Sequence, residues 1–173
     1  GGQIDLYKVP LPTYAADVPQ TRSEWIDLYD GDSIVGKQSD AASELTGVIH
    51  LCSPLGSPVY PCSVRIQGQV LGWRAMLRCD GALGCNQIRF DSASFECAQD
   101  NLHEKVSPTV EVSAGASVSL VNSHVSGCSS QASGGFVRAY DRATVTVDGS
   151  TIRACQSSGS GGALDLYRSD IQV

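Results

Sequence analysis

Short runs of alternating apolar and polar residues recur along the last third of the chain. Apolar residues occupy every second position at 118–120, 145–147 and 164–166, with serine, threonine or aspartate between them. A period of two with β-branched residues predicts short strands that bury one face. Clusters of glycine and serine separate these runs, and no useful stretch of helical period lies between them. The pattern therefore predicts an all-β chain.

The segment 117–143 repeats as 144–170, with a shift of 27 residues and no gap. Eight of the 27 aligned positions are identical, whereas unrelated segments share roughly two. A repeat of this length is typical of a solenoid that makes one turn per repeat. We therefore predict a parallel β-solenoid whose turns stack at ~4.8 Å and whose inward side chains form apolar columns.

Weaker copies extend this prediction to the rest of the chain. The segment 1–8 matches 161–168. Looser copies of the repeat lie at 26–29, 47–51, 88–91 and 110–112. Three prolines predict an irregular loop excursion over 53–87, because proline cannot donate to a strand ladder. The chain, 1–173, is thus predicted as a single solenoid segment of roughly six to eight rungs, clearest over 107–173.

Both ends of the chain lie within strand signals rather than capping segments. The chain opens on Gly1-Gly2 and stops at Ile171-Gln172-Val173. An uncapped solenoid exposes an apolar cross-section and an unpaired strand edge. We therefore expect the chain to be part of a longer protein, with further repeats or partner chains covering both ends.

Composition excludes several classes of protein. The net charge is -6 and no basic stripe is present, which argues against nucleic-acid binding. No apolar run approaches the ~18 residues of a transmembrane segment. Seven cysteines occur without a C-x-x-C pair or a zinc-ligand spacing, so we expect no metal or other cofactor. Cysteines at this frequency favour an extracellular, cell-surface or luminal location.

The repeats resemble those of a known family. Gly161-Gly162-Ala163-Leu164, after a Ser/Gly stretch and before a short outward-polar strand, resembles the Gly-Gly-Ala-Ile repeats of the polymorphic outer membrane protein family. The segment 145–152 is similar to the rung phrases of right-handed parallel β-helix repeat proteins. This resemblance implies a right-handed parallel β-helix with a structural or adhesive role. It implies no activity, because pectate lyases and polygalacturonases share the solenoid.

Four outward residues on two adjacent rungs form the candidate ligand site. Arg138 and Asp165 are equivalent positions, as are Tyr140 and Tyr167. Such residues could bind a polysaccharide, although a cross-rung ion pair and tyrosine packing explain them as well. Since nothing else on these rungs completes an acid–base pair, we predict no catalytic residues.

The cysteines suggest a set of disulfides. Cys128 and Cys155 lie at equivalent positions on adjacent rungs, at a spacing that suits a disulfide, although a column of free thiols is the alternative. Cys97 misses this column by one residue and is expected to be the unpaired thiol. Proximity alone suggests the further pairs Cys52–Cys62 and Cys79–Cys85.

Three functions remain open from the sequence. We favour a structural or adhesive segment that acts as a rigid scaffold or docking surface. One alternative is a carbohydrate-binding or polysaccharide-degrading solenoid, and another is an accessory subunit of a large assembly. A calcium site at Asp27, Asp30 and Asp32 is less favoured, because their spacing matches no known calcium loop.

Overall fold

The computed structural model of the protein describes residues 3–5, 33–35, 48–50, 62–98 and 108–173, with side chains over 63–98 and 108–173. These residues are almost entirely β-strand and turn. The strands are β1 (Gln3–Asp5), β2 (Ser33–Val35), β3 (Val48–His50), β4 (Cys62–Trp73), β5 (Met76–Asp80), β6 (Cys85–Cys97), β7 (Val110–Ser113), β8 (Ser117–Val121), β9 (His124–Ser126), β10 (Ser129–Ser130), β11 (Val137–Tyr140), β12 (Thr144–Asp148), β13 (Thr151–Arg153), β14 (Gln156–Ser157), β15 (Leu164–Tyr167) and β16 (Asp170–Gln172). A 3₁₀ turn, Gly81–Leu83, separates β5 from β6.

All of these strands pair in parallel and form stacked ladders. The first ladder runs β1-β2-β4-β6-β8-β12-β16, and the second runs β3-β5-β7-β11-β15. The end of β6 continues into a third ladder with β9 and β13, while β10 pairs with β14. The protein is therefore a parallel β-solenoid of about 4 turns.

The 27-residue shift is confirmed by the strand register. Val118 pairs with Val145, Val125 with Ile152, and Val137 with Leu164. Each of these partners is 27 residues apart, so the sequence repeat and the structural turn coincide over β8–β16. Pairing of Val110 with Val137 extends the same spacing one strand further back.

The core is made of columns of inward side chains along the ladders. On the first ladder, Val64, Ile88, Val118 and Val145 follow one another in register, and each is at most 1 % exposed. The core also holds four aromatic side chains. These are Trp73, Phe90, Phe95 and Phe136, with nearest ring centroids 5.3 to 5.5 Å apart. Stacked columns bury apolar area at every turn, which is the main force that holds a solenoid together.

The prediction of an irregular segment over 53–87 is wrong for residues 62–87. These residues form β4, β5 and the first part of β6. Register shifts interrupt the pairing of β4 with β6 at three places, and Gly68 and Gly72 adopt left-handed conformations there. Such bulges insert residues between the turns, so a comparison at one fixed shift does not detect them. Residues 53–61, with their prolines, lie outside the described part of the chain.

The proposed match between 1–8 and 161–168 is also wrong. β1 lies in the first ladder, where Ile4 pairs with Ile34, whereas Leu164 in β15 lies in the second. The copy at 47–51 is correctly placed, because Ile49 pairs with Leu77 in the second ladder. The copy at 26–29 falls outside the described residues. About 4 turns are shown, against the roughly six to eight rungs expected.

The disulfides differ in part from the predicted set. Cys79 and Cys85 are bonded, with Cα atoms 5.2 Å apart. Cys97 is bonded to Cys128, with Cα atoms 4.9 Å apart. The predicted Cys128–Cys155 disulfide is therefore wrong, and Cys97 is not the leftover thiol. Among the cysteine side chains that the structure describes, Cys155 is the free one. The pair Cys52–Cys62 lies outside those side chains.

A single glycine explains the unexpected partner of Cys128. Cys97 follows Phe95 by two residues, whereas Cys128 follows Val125 by three, and Phe95 pairs with Val125. The additional residue is Gly127, whose φ of 70° is left-handed. A slip of one residue normally sends a side chain to the opposite face of a sheet. Because Gly127 turns the chain at this corner, Cys128 instead comes to lie beside Cys97.

Candidate functional site

Four charged side chains of alternating sign form a column along the outer face of the second ladder. We call Arg78, Glu111, Arg138 and Asp165 the charged column. In register, Arg78 pairs with Glu111, Glu111 with Arg138, and Arg138 with Asp165. They face outward because the residues before them are the inward positions of the same strands, and successive side chains alternate between the two faces.

Contacts along the charged column pair each carboxylate with an arginine. Arg78 Nε donates to Glu111 Oε1 at 3.2 Å, and Arg138 Nε lies 3.8 Å from Asp165 Oδ2. The arginine side chains are 39 % and 45 % exposed, and their carboxylate partners 13 % and 19 %. Ion pairs at this exposure each contribute about 0–1 kcal/mol, so the column is a weak source of stability.

Two tyrosines stand beside the charged column. Tyr140 and Tyr167 pair in register, as expected. Tyr140 Oη donates to Glu111 Oε1 at 3.3 Å, and the Arg138 guanidinium lies 5.6 Å from the Tyr140 ring centroid. Tyr167 is 61 % exposed, and Arg168 lies 5.2 Å from its ring centroid. The tyrosine rings thus contact cations, and Tyr167 presents most of its surface to solvent.

The structure brings all four predicted ligand residues onto one face. Sequence reasoning missed Arg78 and Glu111, which extend that face by two rungs. Glu111 could have been found, because it precedes Arg138 by the repeat length of 27. Arg78 precedes Glu111 by 33 residues, so a fixed shift does not align the two.

No metal centre accompanies this face. Within residues 62–98 and 108–173, no three His, Cys, Asp or Glu side chains gather in a way that could hold a metal ion. Asp27, Asp30 and Asp32 lie outside the described residues. His124, on the third ladder, contacts the Thr151 hydroxyl and pairs in register with that residue.

The last turn exposes part of its inward surface. Ile152, Leu164 and Leu166 pack against the core but are only partly buried, and Ile171 is 44 % exposed. In the part of the chain that the structure describes, β13, β14, β15 and β16 each pair on one side only. The resulting surface combines apolar side chains with unpaired backbone N–H and C=O groups, which suits the addition of another strand.

Comparison with known proteins identifies the architecture of this chain and no relative. No family model, no curated protein and no solved structure matches it. No helix in the described residues is long and apolar enough to cross a membrane. The class that the fold defines is thus a disulfide-containing parallel β-solenoid.

Proposed function

We propose that this chain is a rigid scaffold and docking segment of an extracellular, cell-surface or luminal β-solenoid protein. The observation that carries the proposal is the continuous parallel ladder structure, which stacks β4, β6, β8, β12 and β16 along one axis. A stack in which every turn contacts its neighbours holds outward side chains at a regular spacing. Such spacing suits a surface that another macromolecule contacts over several turns.

The two disulfides support both rigidity and location. Cys79–Cys85 links the end of β5 to the start of β6, and Cys97–Cys128 links two successive turns. Bonds of this kind persist in oxidising compartments and are rare in the cytosol. The Gly-Gly-Ala-Leu segment at 161–164 supports the finer proposal of a surface role like that of the polymorphic outer membrane proteins.

The contacts of the charged column favour binding over catalysis. Glu111 accepts hydrogen bonds from Arg78 and Tyr140, and Asp165 lies beside Arg138. A general base needs a lone pair directed at substrate, and these carboxylates already interact with groups of the chain. The partners we propose are further solenoid turns or other protein chains at the last turn. Assembly with several neighbours would make the chain an accessory subunit of a larger complex.

A hydrogen-exchange measurement on the purified chain tests the scaffold proposal. We expect slow exchange to extend over the ladder amides of β6, β8 and β12, because each lies between two paired strands. Fast exchange throughout these strands would contradict a rigid scaffold. Cross-linking of native material with mass spectrometry then tests docking: cross-links from 150–173 to another chain support it, and cross-links confined to this chain oppose it.

Carbohydrate binding is the second candidate, and the exposed Tyr167 favours it. An aromatic ring with 61 % of its surface free can stack on a sugar ring. Affinity electrophoresis in gels that contain acidic or neutral polysaccharides measures this binding, with Tyr167→Ala as the test variant and His124→Ala as the control on another face. Retardation lost only in Tyr167→Ala supports the candidate, and unchanged mobility in every polysaccharide removes it. Release of sugar products that Glu111→Gln abolishes would overturn the non-catalytic proposal.

A further inference from the structure

Three cysteines occupy one column across three successive turns. Cys97 ends β6, Cys128 follows β9 on the next turn, and Cys155 follows β13 on the turn after that. Cys97 and Cys128 are bonded, and Cys155 is free. The column therefore places a free thiol directly beyond an existing disulfide.

The two later cysteines have the same local geometry. Gln156 N–H donates to Cys128 O at 2.9 Å, which fixes the two cysteines as neighbours one rung apart. Cys128 Sγ lies 3.7 Å from Ser126 O, and Cys155 Sγ lies 3.3 Å from Arg153 O, in each case the carbonyl two residues earlier. Each sulfur thus takes the same position relative to its own turn. A rung spacing of ~4.8 Å lies within the Cα separations that a disulfide permits.

We propose that this column is an internal thiol–disulfide exchange site, in which Cys155 displaces Cys97 from its bond with Cys128. The Cys155 thiol loses its proton to solvent, and the sulfur lone pair forms the new bond to Cys128 Sγ. The electron pair of the Cys97–Cys128 bond leaves with Cys97 Sγ, which takes up a proton. One disulfide and one thiol are present before and after the step, so it needs no oxidant or reductant.

The order of the cysteines along the axis suits this step. Exchange requires the attacking sulfur to approach the central sulfur from the side opposite the leaving sulfur. Cys128 lies between the other two, with Cys97 one turn before it and Cys155 one turn after it. Attack on the central sulfur therefore needs no rearrangement of the ladder.

Thr109 assists the departure of Cys97. The Thr109 hydroxyl lies 3.2 Å from Cys97 Sγ, and a disulfide sulfur can only accept, so the hydroxyl donates. The same hydrogen bond becomes charge-assisted when Cys97 leaves as a thiolate, and a stabilised thiolate is a better leaving group. Thr109 is thus a positioning residue for the exchange.

The exchange moves the covalent link along the solenoid. Before the step the link joins the turns of β6 and β9, in the interior of the described stack. Afterwards it joins the turns of β9 and β13, and so fastens the last turn, whose apolar side chains are only partly buried. The site would therefore let the chain reinforce the surface at which we propose that partners dock, and this consequence rests on that proposed function.

Peptide mapping of the full chain by mass spectrometry tests the exchange. The chain is incubated without reductant between about pH 7 and about pH 10, trapped by acid and alkylated. We expect the Cys155 label to decline while labelled Cys97 and a Cys128–Cys155 peptide appear in equal amounts. Burial raises the pKa of the Cys155 thiol, so the rate should rise about tenfold per pH unit below that value. A tenfold dilution should leave the rate unchanged, because the step is intramolecular.

Three variants make the test decisive. Cys155→Ser should show no labelling of Cys97 at any pH. Cys97→Ser, after mild oxidation with oxidised glutathione, should form the Cys128–Cys155 bond. Thr109→Val should slow exchange by about tenfold, whereas Thr146→Val, on the outer face of β12, should not change it. The proposal is overturned if wild-type Cys97 is never labelled, if the rate follows protein concentration, or if Cys97→Ser keeps both thiols free. None of these outcomes depends on whether a partner docks.

Discussion

Gly135 and Gly162 occupy equivalent positions in the repeat, yet the structure surrounds them differently. A Cβ atom on Gly135 would lie 2.3 Å from Gln156 O and 2.7 Å from Gln156 N, both backbone atoms of the next turn. A Cβ atom on Gly162 would meet nothing within 4 Å. We therefore predict that Gly135→Ala destabilises the protein substantially more than Gly162→Ala.

The magnitudes follow from these contacts. Cβ contacts shorter than 3.0 Å are essentially never observed, so Gly135→Ala must push the two turns apart by about 0.7 Å. This movement strains the hydrogen bonds that Gly135 N–H and Gln156 N–H make across the turns. Overpacking of this kind costs about 1–3 kcal/mol, and each weakened hydrogen bond about 1 kcal/mol more. Gly162 has a φ of +46°, so alanine there costs about 1–2 kcal/mol of backbone strain.

Urea unfolding followed by circular dichroism measures both variants against the wild type. We expect a loss of about 3 kcal/mol or more in the free energy of unfolding for Gly135→Ala, and about 1–2 kcal/mol for Gly162→Ala. Equal losses, or a larger loss for Gly162→Ala, would refute the reasoning, because the stacking of the next turn on Gly135 would then carry no cost. Since solenoids can unfold in parts, coincident transitions at two wavelengths are the control for two-state behaviour.

Three further predictions concern the core, the charged column and the free thiol. Phe90→Ala should lower the free energy of unfolding by about 3–5 kcal/mol in urea, because Phe90 is 0 % exposed and contacts two other aromatic rings; a loss below about 1 kcal/mol would contradict its place in the core. Arg138→Ala should cost only about 0–1 kcal/mol and leave the circular dichroism spectrum unchanged, because its ion pair with Asp165 is exposed; a larger loss would mean that the charged column holds the ladder together. Burial raises the pKa of the Cys155 thiol above its ordinary value, so its contribution to stability is full below the unfolded pKa and is lost as pH rises through the folded pKa. Alkaline unfolding midpoints should therefore fall more for the wild type than for Cys155→Ser, and equal falls would contradict burial of the thiol.

Where the turns have equal length, the sequence predicted the fold to the residue. Over β8–β16 each turn has nearly the same number of residues, so equivalent side chains recur at one shift. The pairs Val118–Val145 and Arg138–Asp165 could therefore be found by alignment alone. The face that carries the candidate site was predictable for the same reason, as far as Glu111.

Where the turns differ in length, the prediction failed. Ile66 pairs with Phe90 at a separation of 24 residues, and Arg78 pairs with Glu111 at 33. Left-handed residues such as Gly68 take up these differences at the corners, and no periodicity marks them. Residues 62–87 therefore looked irregular in the sequence although they form long strands.

The sequence by itself determined the parallel solenoid, its 27-residue turn and the alternation of buried and exposed positions, because these depend on local periodicity. Only the tertiary structure decided which cysteines meet and which of two equivalent glycines is crowded. Cys97 bonds to Cys128 because a left-handed Gly127 absorbs one residue at a corner. Gly135 is crowded and Gly162 is open because a further turn stacks on the first and none of the described residues stacks on the second. These differences depend on what lies beside a residue in space, which the spacing of residues along the chain does not record.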